Sequence, residues 1–125
     1  MDTKETGIFI GIDVSKETLD VAVNGETDVQ QYANDAAGIS ALTAWVAEKG
    51  GTLVVVEASG GWELDLVTAL AVAGLPAAVV NPTRVRNFAK ALGQYAKTDK
   101  IDAQVLARFA AVVQPPVHPL KSGEQ

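Results

Sequence analysis

Cysteine is absent from the 125-residue chain, and histidine occurs once, as His118 among C-terminal prolines. The missing thiols exclude disulfides and thiolate metal sites. Any bound metal must therefore be held mainly by carboxylates, a donor set that favours hard cations such as magnesium or manganese. Long apolar runs are lacking too, and none approaches the ~20 residues of a membrane-spanning helix. The opening MDTKETG is polar, without the apolar core of a signal peptide. A cytoplasmic protein with no membrane partner is expected. No GxxxxGKS or GxxxxGKT phosphate loop occurs. Ser15 and Ser59 have no neighbouring histidine to act as a base, which argues against a serine-hydrolase triad.

What is present suits one globular domain. Hydrophobic residues make up 48% and charged residues 20%, enough apolar side chain for a single core. The net charge of −5 is unevenly spread. Residues 1–66 carry 12 acids and 3 bases, whereas residues 67–125 carry 3 acids and 7 bases. Arg84, Arg86, Lys90, Lys97, Lys100 and Arg108 fall in one stretch. Such a cluster reads either as a solvated helical face or as an electrostatic footprint on DNA.

Along the chain, residues 8–14 (IFIGIDV) predict a buried strand that closes on a carboxylate. Residues 18–23 alternate, Asn24-Gly25 signals a turn, and residues 27–33 supply a third strand of an antiparallel meander. The spacing of Ile39, Leu42, Trp45 and Val46 predicts a helix over 36–49, stopped by Gly50-Gly51. Leu53–Val56 is a second buried strand, ending at Glu57. A helix over 62–73 follows, with Trp62, Leu66, Ala69, Leu70 and Ala73 on its stripe and Gly74 as its stop. Both tryptophans are expected in the core. Residues 76–80 form another strand. Asn81-Pro82 opens a helix as N-cap and first-turn proline, and residues 99–113 form the last helix. Residues 114–125 hold three of the five prolines and read as a linker. Three strands followed by alternating helices and strands predict an α/β mixed sheet with helices packed on it. Ribonuclease H-like domains share this order.

Four acids stand out. Asp13 and Glu57 close buried strands, and functional groups of open α/β sheets gather at the carboxyl ends of strands. Two carboxylates on neighbouring strands repel each other unless a proton or a cation intervenes. Asp99 and Asp102, three residues apart at a helix start, are expected on one face, where they can join the first pair. Four carboxylates suit two divalent ions about 3.5–4 Å apart. Each acid also has a plain structural role available. Asp99 fits an N-cap, Asp102 a complement to the helix dipole, and Glu57 the start of a solvated loop. Asp13, closing an apolar strand, is costly without a partner. Gly60-Gly61 permits a sharp turn or close backbone approach. Lys16 is either exposed or placed to meet a phosphate.

The segments GIDVSK (11–16), VVVEASGGW (54–62), VVNPTRVRNFAKALG (79–93) and KTDKIDA (97–103) together resemble the DEDD transposases of bacterial insertion sequences, which include the Piv-type DNA invertases. The resemblance spans about residues 7–113. It implies a RuvC-like, ribonuclease H-like catalytic domain with Asp13, Glu57, Asp99 and Asp102 as metal ligands for Mg2+ or Mn2+. It implies DNA strand cleavage and transfer at a branched intermediate, and DNA as partner. A structured guide RNA and homo-oligomerisation of the full-length protein are further implications. Lys97, Thr98 and Lys100 match the motif around the third acid, and Lys16, Arg84, Arg86 and Lys90 complete the candidate nucleic-acid contacts. Family members carry a second, C-terminal domain with a serine involved in strand exchange. Residues 1–113 are therefore expected to be the catalytic domain and 114–125 a linker toward a domain absent from this sequence.

Three other readings remain open from the residues alone. In an actin-like or sugar-kinase ATPase lobe, glycine and threonines ordinarily follow the first Asp, whereas Val14, Ser15 and Lys16 follow it here. A non-catalytic interaction module would use the same acids as caps. A stand-alone junction resolvase would share the chemistry and differ in substrate.

Overall fold

A computed structural model describes residues 7–93 and 101–117. Five strands form one mixed sheet: β1 (Phe9–Val14), β2 (Thr18–Val23), β3 (Val29–Ala33), β4 (Leu53–Glu57) and β5 (Ala77–Val80), in the spatial order β3-β2-β1-β4-β5. The meander β1-β2-β3 is antiparallel, and β1-β4-β5 run parallel. Among the described residues, four helices pack on the sheet: α1 (Ala36–Lys49), α2 (Leu64–Val72), α3 (Pro82–Ala91) and α4 (Ala103–Val113).

The two-residue alternation of a strand divides the core into two layers. Ile10, Ile12 and Val14 of β1 and Val54 and Val56 of β4 pack with Ile39, Leu42 and Val46 of α1 and Leu66 and Leu70 of α2. Phe9, Leu53 and Val55 face the other way, toward Val85 of α3 and Val105, Leu106 and Phe109 of α4. Because β1 and β4 are covered on both sides, their sequences read as unbroken apolar runs. β2 contributes its large apolar side chains, Leu19, Val21 and Val23, to the first layer, which explains its alternation. Each fully buried large side chain contributes about 1.5–3 kcal/mol.

Local signals set the helix ends. Asp35 caps α1 by accepting from the Gly38 amide (2.8 Å), and Gly50 ends it at φ 72. Asn81 caps α3 by accepting from the Thr83 amide (2.7 Å), with Pro82 in the first turn. Asp102 caps α4 through the Val105 amide (3.0 Å). α4 ends at Val113, with Gln114 at φ 50.

α4 lies across the middle of the sheet and comes nearest at Gly11. A Cβ at that position would strike the α4 backbone at Ala103 O, Leu106 C and Ala107 N. Ala22 of β2 packs there with Ala103 and Ala107. The hydrogen and methyl side chains of these residues permit the close approach.

Several boundaries differ from the sequence expectation. α2 begins at Leu64, not residue 62, because Gly60 (φ 74) and Gly61 (φ 112) hold the preceding residues in a turn. Trp62 therefore precedes the helix and is 50% exposed, which corrects its expected place in the core. Trp45 is partly buried against the core, as expected. α4 begins at Ala103 rather than residue 99. Asp99, Lys97, Lys100 and His118 lie outside the described residues. Among the described residues, no helix is long and apolar enough to cross a membrane.

Candidate metal and nucleic-acid site

Asp13 closes β1 and Glu57 closes β4. The parallel register pairs Ile12 with Val56, so the next residue of each strand is one of these acids, on neighbouring strands spaced about 4.8 Å apart. Alternation sends both toward the face of Phe9, Gly11, Leu53 and Val55, the side covered by α4. Asp13 and Glu57 are half-buried, and Glu57 Oε2 is fully shielded from solvent. Carboxylates that end neighbouring strands, partly out of water, can share a cation as counter-charge.

Asp102 belongs to the helix that covers this face. Its helix crosses β1 at Gly11, two residues before Asp13, and its carboxylate caps that helix. The first turn of α4 lies against the middle of β1 at Gly11, and Gln104 Nε2 donates to Thr27 O in the β2–β3 connection (3.0 Å). The helix N-cap expected of Asp99 is filled by Asp102. Asp102 thus precedes the helix, and the expected pairing of Asp99 with Asp102 on one face falls on a residue outside the described ones. Among the described residues, no group of three or more carboxylate or histidine side chains lies close enough to hold a metal ion. The all-oxygen donors of Asp13 and Glu57 nonetheless suit a hard cation.

The basic candidates divide. Lys16, Arg84, Arg86 and Lys90 are exposed. The Arg84 guanidinium lies 5.4 Å over the Phe109 ring, which itself meets Phe88 edge-on at 5.3 Å. Arg84 therefore has a packing role besides any contact with nucleic acid.

Sequence reasoning missed three residues here. Asp20 faces Asp13 directly across the β1–β2 pair, and Gln31 of β3, opposite Asp20, donates to its Oδ1 at 2.8 Å. Gln31, Asp20, Asp13 and Glu57 thus form a row across four strands. The alternation of β2 marked Asp20 as lying off the apolar face, but only the register brings it beside Asp13. Like charges directly opposite on a sheet destabilise it. Asp20→Asn is accordingly expected to stabilise the metal-free domain by roughly 0.2–1 kcal/mol in urea unfolding. A loss of stability would show that Asp20 is not repelled by Asp13.

Glu63 is the second. It is buried, and its Oε1 accepts from the Ser59 amide (3.0 Å), the Ser59 hydroxyl (2.8 Å) and the Gly61 amide (3.1 Å). Burial raises its pKa, but these hydrogen bonds outweigh it and hold the carboxyl below the ordinary glutamate value. The third is Asn34, whose Nδ2 donates to Ser15 O (2.8 Å) and Trp62 O (3.1 Å). It ties the loop after Asp13 to the loop after Glu57. Neither residue has a periodic sequence signature, since an acid before a helix and an asparagine after a strand are common.

Comparison with known proteins gives this arrangement a lineage. The family model of DEDD transposases of the IS110 type, described as "Transposase", matches residues 10–125. The chain belongs to that family. Among curated relatives, the pilin gene-inverting protein of Moraxella bovis is 32% identical over 123 residues, 94% of this chain and 38% of that protein. The pilin gene-inverting protein of Moraxella lacunata matches to the same extent. The chain thus spans 38% of the length of these relatives. Among solved structures, T. thermophilus RuvC in complex with Holliday junction substrate superposes with a TM-score of 0.59 at 16% identity, covering 91% of this chain and 99% of that one. This DEDD transposase domain therefore has the RuvC-like, ribonuclease H-type fold expected from its element order. Nucleases of this family and fold generally use divalent metals.

Proposed function

We propose that this domain is the DNA strand-cleaving unit of a transposase or site-specific recombinase, with Asp13, Glu57, Asp99 and Asp102 holding Mg2+ or Mn2+, two ions in all. The observation that carries this reading is the placement of Asp13 and Glu57 at adjacent strand ends, on the face that the Asp102-capped helix covers. Family membership and the RuvC-like fold support it. When bound, divalent cations lower the pKa of an attacking water or hydroxyl and neutralise charge developing on phosphoryl oxygens. The protein's own part is positional. Asp13 and Glu57 offer oxygens from a rigid sheet, and Asp102 caps the helix that covers their face. Lys16, Arg84, Arg86 and Lys90, together with Lys97 and Lys100, would meet the phosphate backbone of the DNA.

The substrate in this reading is a branched or junction-like DNA intermediate of transposition or inversion. Residues 1–113 act as the catalytic unit and 114–125 as a linker. A homo-oligomer synapses the DNA ends in the full-length cytoplasmic protein, and a structured guide RNA is an additional partner. The test is calorimetric titration of Mg2+ or Mn2+ into the wild type, Asp13→Ala and Asp102→Ala, with circular dichroism confirming the fold of each. Saturable binding by the wild type that weakens at least tenfold in Asp13→Ala is expected. An identical metal response in all three proteins would remove the site.

A further inference from the structure

Trp62 is large, apolar and half exposed, five residues beyond Glu57. Its ring lies 5.9 Å from Lys16 Nζ, and Lys16 stands three residues beyond Asp13. Both side chains leave the carboxyl ends of the strands that carry the acid pair. Their loops are braced. Asn34 bonds the carbonyls of Ser15 and Trp62, while Glu63 fixes Ser59 and Gly61 on either side of the turn. The indole is thus held in water on a fixed base, beside the strand ends, with an ammonium group close by.

A π-face and a cation match the two halves of a nucleotide. Base-on-aromatic stacking tolerates any base, and a lysine can meet the phosphate attached to it. A fully paired duplex offers no free base face in its interior, so the fitting ligand is an unstacked nucleotide in a single strand, at an end or at a branch. We propose that Trp62, assisted by Lys16, is a stacking platform for an unpaired nucleobase next to the phosphodiester presented to Asp13 and Glu57. The proposal rests on the nucleic-acid reading given above and adds the form of DNA that the site selects.

The experiment measures binding of fluorescently labelled oligothymidine, a synthetic four-way junction and a matching blunt duplex by anisotropy. The proteins are the wild type, Trp62→Ala and Trp62→Phe. Asn34 holds the Trp62 carbonyl rather than its ring, so the side chain can be changed without removing the brace. Trp62→Ala should weaken single-strand and junction binding about tenfold, with duplex binding unchanged, and Trp62→Phe should restore most of the loss. Equal binding of single strand and junction by wild type and Trp62→Ala overturns the platform alone. An equal loss on duplex does the same. Failure of the wild type to bind any of the three DNAs overturns the nucleic-acid reading and the platform together.

Discussion

Gly11→Ala should cost the domain about 3 kcal/mol, measured by urea unfolding, although it adds only one methyl group. The added carbon would meet the α4 backbone at Ala103, Leu106 and Ala107 rather than the movable end of a side chain. Rotamer change cannot relieve it, so either β1 or α4 must shift. With a total stability on the order of 5–15 kcal/mol, the variant still folds, but with α4 lifted from the sheet. That lift displaces the Asp102 cap at the head of α4, so, on the metal site proposed above, metal response should fall more than stability does. Gly25→Ala is the natural control. It faces open space at φ 91, and its cost should be ~1 kcal/mol from backbone conformation alone. A Gly11→Ala protein as stable as the wild type would mean that α4 does not cross β1 at this point.

Glu63→Ala is the second large change, at about 2–3 kcal/mol, because hydrogen bonds to a charged, buried acceptor are among the stronger ones and their donors would lose it. Glu63→Gln, which keeps an acceptor oxygen, should lose less. The pH dependence gives a sharper signature. The folded-state pKa of Glu63 lies below its ordinary value of 4.5, so the stability it contributes is complete above that value. It is lost as pH falls through the depressed folded pKa. The stability gap between wild type and Glu63→Gln should therefore be widest near neutrality and shrink in acid. A gap that is flat from pH 7 to pH 3 would show that the charge of Glu63 contributes nothing. Since Ser59 and Gly61 belong to the loop between Glu57 and Trp62, the same substitution should loosen both ends of the site.

Much of the fold was legible because local and global preferences agree. The β-branched runs of β1 and β4 are buried on both faces. The 3.6-residue spacing of Ile39, Leu42 and Val46 places α1 over the expected residues, and Asn81-Pro82 opens α3 where it should. Trp62 was misplaced for a physical reason. It stands four residues from Leu66, as a stripe partner would, but two glycines at positive φ delay the helix until Leu64. The expected positions of Asp13 and Glu57 followed from the strands that end at them. The partners that surround them did not. Asp20 reaches Asp13 only through strand register, and Gly11 reveals its importance only once α4 is laid across it. Glu63 resembles an ordinary helix-start acid until its burial is known. Asp99 lies outside the described residues, and the convergence of all four acids is a proposal.

The close packing of α4 on β1 also bears on the order of assembly. Gly11 and Ala107 are about a hundred positions apart along the chain, and contacts between such distant segments form late, after the loop-closure entropy between them has been overcome. A nascent polypeptide emerging from the ribosome would pair β1 with β2 long before the last helix exists. Until that helix docks, the face of β1 and β4 that it covers stays open to water, and a half-made chain carries Asp13 and Glu57 at strand ends that lack their neighbouring layer.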